Sequence, residues 1–236
     1  MNRPFRHLLL VLLVGGFCNS QDTSARAVES QAFKAGGTPI VIPAPTEDMV
    51  ELGDDKRGLM EVFVPPNNRL LAQFVLADDL PKFTASGGHP AMTRYASVQV
   101  SRRAENTDVE ESNFNTVVGR LKARIGDLLS SSAKNFEEDF HNRLKSQHFE
   151  DATVSLGQPI QLGCIISKQD AYGFIAIAPL STNGTTTNMA GSTTLVRVKK
   201  RLIFVYLYSE YKNEETLKWL RETTEVWVDA ILNANK

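Results

Sequence analysis

Hydrophobic and polar positions alternate most regularly between Arg94 and Arg102, where Ala96, Val98 and Val100 stand against Tyr95, Ser97 and Gln99. A period of two predicts a half-buried β-strand. The run "LVRVKKRLIFVYLYSEY" carries a stronger strand signal: Leu202, Phe204, Tyr206 and Tyr208 point one way, Ile203, Val205 and Leu207 the other. A strand apolar on both sides belongs in the middle of a sheet with both faces covered. "LMEVFV" (Leu59–Val64) and "RLLAQFVLA" (Arg69–Ala77) read as strands ended by Pro65-Pro66 and Asp78-Asp79. Later in the chain "ATVSLG", "IQLGCIIS" and "AYGFIAIA" read as short strands, with "SKQD" a hairpin loop between the last two.

The middle of the chain switches to helical spacing. Phe114, Val117, Val118, Leu121, Ile125, Leu128 and Leu129 recur every three or four residues, and Phe136, Phe140 and Leu144 continue the stripe. Asp108 with Glu111, or Thr107 with Glu110, forms a capping box at its start. Ser130–Ser132 predicts a kink or a split into two helices, because serine competes for backbone hydrogen bonds, with one long helix as the alternative. The last element is a helix opened by Asn213, with Glu214 and Glu215 at the positive end of its dipole. Lys218, Arg221, Glu222, Glu225, Asp229 and Asn233 gather on its wet side; Leu217, Trp219, Leu220, Val226, Trp227, Val228 and Ile231 form a broad apolar face.

Between these elements, 21–37 reads as a flexible tether, and "TPIVIPAPTEDMVEL" as an extended or edge segment because of its three prolines. "TASGGHPAMT" is loop, and Ser181–Thr194, "STNGTTTNMAGSTT", reads as a mobile low-complexity loop. The whole predicts one α+β domain over 38–236: an antiparallel or mixed sheet carrying a central helix or helix pair, with the C-terminal helix packed on it. No internal repeat is present. The C-terminal stretch "RLIFVYLYSEYKNEETLKWLRETTEVWVDAIL", a late strand, a short polar turn and a closing helix, resembles the PsbP-like fold. That fold includes small exported bacterial proteins and a photosystem II extrinsic subunit. The resemblance is one of element order, and the 181–194 loop and the long helical middle stand outside it. It implies a non-enzymatic assembly or accessory factor, an expectation only, since fold does not dictate function.

The N-terminus bears on compartment. Arg3 and Arg6 precede the apolar run Leu8–Val14, after which the chain turns polar at Asn19. This is the layout of a cleaved secretory signal, and the run is too short to cross a bilayer. Cleavage after Ser20 or after Ala27 fits the small residues there, placing the body outside the cytosol, periplasmic or secreted. Lipid attachment at Cys18 is the alternative, though Phe17 directly before it fits that signal poorly. The two arginines are separated, so this is not a twin-arginine signal.

Composition and motifs narrow the chemistry. The 236 residues hold 26 Lys and Arg against 27 Asp and Glu, a net charge of −1. Such a balance lacks the electrostatic footprint of a nucleic-acid binder. Beyond the leader only Cys164 is left, which cannot close an internal disulfide and reads as a small buried apolar group. Ser131-Ser132-Ala133-Lys134 matches S-x-x-K, but S-D-N and K-T-G are missing, so it reads as a polar joint in the helix. His141 and His148 would stand about 10 Å apart along a helix, too far for one ion, so neither metal nor cofactor is expected. His89, in "GGHP", is a loop residue with no partner acid adjoining it. Arg197, Lys199, Lys200 and Arg201 form the densest positive cluster, either a surface for an anionic partner or a solvated strand end. Tyr206, Tyr208, Tyr211, Trp219 and Trp227 are core or pocket wall. Asn183-Gly184-Thr185 is a glycosylation acceptor only in a eukaryote. The reading that follows is a non-catalytic accessory or binding module of the cell envelope, its partner an unknown protein or small ligand. The alternatives are an enzyme with a dispersed site around His89 or Ser131 and Lys134, and a lipoprotein scaffold anchored through Cys18.

Overall fold

The computed structural model describes residues 32–85, 92–146, 154–182 and 184–236. The leader with Cys18, together with His89, His148 and Asn183, lies outside the described residues. The described residues form ten strands: β1 (Ala32–Ala35), β2 (Thr38–Val41), β3 (Met49–Glu51), β4 (Asn68–Leu76), β5 (Arg94–Ser101), β6 (Val154–Leu156), β7 (Ile160–Lys168), β8 (Ala171–Thr182), β9 (Thr185–Val198) and β10 (Arg201–Glu210). Helices α1 (Asp54–Met60), α2 (Lys82–Ala85), α3 (Glu111–Ser146) and α4 (Glu214–Ala234) complete the α+β fold. An antiparallel sheet runs in the order β3-β4-β5-β10-β9-β8, and β6 and β7 both pair with the outer edge of β8.

The double-sided apolar pattern of 202–208 has its predicted consequence: β10 lies in the interior of the sheet, paired with β5 and β9. Ile203, Val205 and Leu207 are buried in the same cluster as Leu220, Trp227, Val228 and Ile231 of α4. On the opposite face Leu195, Leu202 and Phe204 pack with Phe114, Val117 and Val118 of α3. Asn213 caps α4 as its sequence predicts, Oδ1 accepting from Glu215 N at 3.0 Å. Val226, expected on the apolar face, is 67% exposed, because α4 presents only a narrow stripe to the sheet.

Several expectations are corrected. Leu59–Val64 is not a strand but the end of α1 and a 3₁₀ turn, Glu61–Phe63. Met60 and Val64, four apart, are both buried in a cluster with Leu70 and Val75 of β4, a helical spacing that the short apolar run conceals. Ser181–Thr194 is not a loop: β8 and β9 pair without interruption from Ala171↔Val196 to Thr182↔Thr185. Threonine is β-branched and suits a pleated surface, and Gly184, at φ +80°, supplies the left-handed turn residue. From Ala32 the expected tether is a hairpin, β1-β2, whose Phe33, Ala35 and Ile40 are buried. Of the two readings of the serine run, one helix stands: α3 is continuous through Ser130–Ser132. Asp108 and Glu110, expected in a capping box, form ion pairs with Arg201 (2.8 Å) and Lys200 (2.7 Å). Cys164, expected in the core, is exposed, because β7 is an edge strand.

The β9-β10 connection is a two-residue turn in which Lys199 (φ 45°) and Lys200 (φ 61°) are both left-handed. Two central residues at positive φ favour Asn-Gly over branched or long side chains. The double variant Lys199→Asn, Lys200→Gly should therefore raise stability by about 1 kcal/mol, read as a higher urea midpoint at unchanged slope.

Candidate functional site

The sheet face beneath α3 carries an aromatic and amide surface that β-register assembles from four strands. One cross-strand row reads Val75, Tyr95, Tyr208, Gly191; the next reads Gln73, Ser97, Tyr206, Thr193; a third contains Gln99, Phe204 and Leu195. The rings form a stacked series: Tyr95 on Tyr208 at 4.7 Å between centroids, Tyr208 by Tyr206 at 6.1 Å, and Tyr206 by Phe204 at 6.4 Å. Gly191 makes the series possible, since a Cβ there would lie 2.7 Å from Cδ1 of Tyr208.

Two covers meet over this face. Tyr95 packs against the cluster of Leu52, Met60, Val64 and Phe83, and Phe204 against the α3 cluster. Tyr206 and Tyr208 belong to neither cluster and are half-buried. Their phenols are nonetheless strongly desolvated. Burial pushes the pKa of Tyr208 up to about 12, and burial followed by the neighbouring Tyr208 raises those of Tyr95 and Tyr206 further. Part of each ring stays accessible between the two clusters, which leaves this stretch of the face half-open as a shallow recess.

Polar side chains floor that recess. Gln99 accepts from Asn68 Nδ2 (3.0 Å) and donates through Nε2 to Ser97 Oγ (2.9 Å). Ser97 accepts there and keeps its own hydrogen to donate. Gln73 is 2% exposed, and its buried Nε2 has no acceptor. An unmade bond of this kind costs about 1–3 kcal/mol, and Gln73 shares this condition with several other buried side chains among the described residues.

The phenols also set an alkaline response. Each titrates near 10 when unfolded and higher when folded, so between those values the unfolded chain holds fewer protons. Their contribution is fully present below pH 10 and declines as pH rises towards and through the folded values. The urea midpoint should therefore drop above about pH 10, and Tyr208→Phe should flatten the drop.

The basic cluster is divided by its turn. Lys200 pairs with Glu110, and Arg201 with Asp108 and, through Nε, with Thr38 Oγ1 at 3.0 Å. The Glu110–Lys200 hydrogen bond, aided by their opposite charges, lowers the pKa of Glu110 and raises that of Lys200. Arg197 pairs with Asp170, and Lys199 donates to the Pro39 carbonyl at 3.2 Å. Arg197 and Lys199 line an open cavity of about 390 Å³ with Asp170, Asp229 and Lys236. Its charges are mixed, so the cluster is not brought together as one anion-binding surface. Ser131 is exposed and gives its hydroxyl to the helix carbonyls of Asp127 (2.8 Å) and Leu128 (3.1 Å). His89 lies outside the described residues. Of the aromatic set, Trp227 is core, and Tyr206 and Tyr208 floor the recess.

Sequence reasoning found Tyr206 and Tyr208 but missed Tyr95, Gln73, Ser97 and Gln99 as their neighbours. The available signal was Gln73, an amide inside the apolar run of β4.

No protein-family model and no curated protein matches the chain. Among solved structures it is similar to cyanobacterial PsbP from Synechocystis, at 11% identity and a TM-score of 0.36, covering 89% of this chain and 95% of that one. It is similar to a mutant of the protein Mog1 at 9% identity and 0.35, covering 87% and 93%. A third is the Saccharomyces cerevisiae Ran-binding protein Mog1p, at 9% and 0.34, covering 84% and 89%.

Proposed function

We propose that the chain is an exported, non-catalytic accessory module that binds through the tyrosine-floored recess. The carrying observation is the coincidence of half-buried Tyr206 and Tyr208 with the unpaired amide of Gln73 in one face of the sheet. Of the buried unpaired side-chain atoms among the described residues, Gln73 Nε2 is the one in a row with the tyrosines, and binding pockets combine aromatic walls with a few directed polar groups. Export is supported by the basic start and short apolar run of the leader. The enzyme reading is weakened at Ser131, whose hydroxyl is bound back to its own helix. No helix among the described residues is long and apolar enough to cross a membrane.

Cell fractionation with intact-mass measurement tests the location. A chain beginning at Gln21 or Val28 outside the cytosol is the expected result, and a mass increment of acyl chains on Cys18 would mark a lipoprotein instead. Full-length protein in the cytosol would overturn export. Partner capture tests the binding reading: material co-purifying from the envelope with wild type should be lost with Gly191→Val, which displaces Tyr208.

A further inference from the structure

We infer that the open cavity between the β9-β10 turn and the end of α4 binds a small zwitterion of dipeptide length, its carboxylate held by Lys199 and Lys236 and its ammonium by Asp170 and Asp229. The cavity is lined from α4 and stands apart from the tyrosine recess beneath α3, so this site does not depend on that one.

Charge is the first argument. Arg197, Lys199 and Lys236 line the cavity together with Asp170 and Asp229. Asp170 is paired with Arg197, and Asp229 with Lys168 at 2.6 Å, each through Oδ1. A carboxylate accepts at both oxygens, so Oδ2 of each can take a further donor. Lys199 donates to the Pro39 carbonyl at 3.2 Å, and neither it nor Lys236 has a carboxylate partner among the described residues. The cavity therefore offers ammonium donors and carboxylate acceptors side by side. A simple anion there would stand beside two carboxylates and the carbonyl end of α4. A simple cation would stand beside two lysines that no carboxylate neutralises. A molecule carrying both charges meets a complement at each end.

Reach is the second. The side chains of Asp170 and Asp229 are 32% and 49% exposed, and Lys199, Asn233 and Lys236 are exposed. Each group assigned a contact is thus open to a molecule entering from solvent. A volume of about 390 Å³ falls at the small end of the range that ligand sites occupy.

Length is the third. Asp229 and Lys236 are seven residues apart across the end of α4, about 10 Å along its direction at about 1.5 Å per residue. An extended dipeptide spans about 7 Å, and a charge-assisted contact adds about 2.8 Å at each end. That reaches across the interval, whereas the two charges of a free amino acid flank a single carbon and do not. Leu232, half-buried in the lining, gives an apolar side chain a wall.

The probe is L-alanyl-L-leucine, titrated into isotope-labelled full-chain protein and read from backbone amide shifts. The amides of Asp170, Lys199 and Asn233 should move saturably with a Kd of about 1 mM. N-acetyl-alanyl-leucine, which lacks the ammonium, alanyl-leucinamide, which lacks the carboxylate, and free leucine should each bind about tenfold more weakly. Asp229→Asn should weaken the dipeptide about tenfold and leave the acetylated anion unaffected. Lys199→Gln combined with Lys236→Gln should weaken the dipeptide and the acetylated anion alike and spare the amide cation. Because each variant spares one singly charged probe, loss of folding cannot imitate the pattern. Binding of the acetylated anion as tight as that of the dipeptide, with Asp229→Asn without effect on either, would overturn the zwitterion in favour of a plain anion. Equal binding of free leucine would overturn the dipeptide length. Absence of saturable shifts at these amides up to about 10 mM would overturn the site.

Discussion

Replacing Trp227, the largest fully buried side chain among the described residues, by alanine should cost about 3–5 kcal/mol of unfolding free energy. Trp227 is 1% exposed and meets Phe74 edge to face, 5.9 Å between centroids at 88°. Its indole N–H donates to the Pro43 carbonyl at 2.7 Å. Truncation therefore removes the contact between α4 and the sheet, opens a cavity, and strands a backbone acceptor in the segment between β2 and β3. Trp227→Phe separates these terms: it keeps most of the ring and loses the hydrogen bond, for about 1–2 kcal/mol. Equilibrium urea unfolding of the two variants reads the difference. A loss under about 1 kcal/mol for Trp227→Ala would show that α4 is not anchored through this residue.

Asn235→Ala should cost about 2–4 kcal/mol, and its effect should be local. The side chain imitates a strand backbone: Oδ1 accepts from Val41 N (2.9 Å), while Nδ2 donates to Val41 O (2.8 Å) and Ile231 O (2.8 Å). One amide thus ties the end of α4 to β2, and with it the hairpin carrying Phe33 and Ile40. Alanine leaves three backbone groups without partners. Hydrogen exchange should show Val41 and the β1-β2 amides losing protection well before those of β9 and β10, whose ladders do not depend on Asn235. Uniform loss of protection across the sheet would mean that the hairpin is not a separately opening unit.

The two large effects sit where distant parts of the chain meet, and the sequence was least informative there. Local patterns held where a segment's own side chains declare its surroundings. The alternation of Arg94–Arg102, the double-sided apolar run of 202–208 and the capped amphipathic helix after Asn213 all became the elements they predicted. Ser181–Thr194 looked like loop because its residues are small and polar, yet strand pairing with β8 and β10 satisfies its backbone regardless of side-chain polarity. Leu59–Val64 looked like strand because a six-residue apolar run does not distinguish the two periods. Cys164 looked buried because nothing in "IQLGCIIS" announces that β7 is an edge.

The recess shows the same division. Tyr206 and Tyr208 were legible as an aromatic pair on one side of a strand. Their company was not: Gln73, Ser97 and Tyr95 arrive through the registers of β4 with β5 and of β5 with β10. The basic run was visible as charge, while its separation into Lys200 and Arg201 beside Asp108 and Glu110, and Arg197 and Lys199 beside α4, came from the turn between β9 and β10.

What the amino-acid order determined alone is the type of most elements, the wet side of the last helix and the central place of β10, because these follow from side-chain periodicity within one segment. Tertiary structure decided which strands are neighbours, which edge is open and which polar groups share a face. Those depend on hydrogen bonds and burial contributed by residues far away in the chain, and no local window contains them.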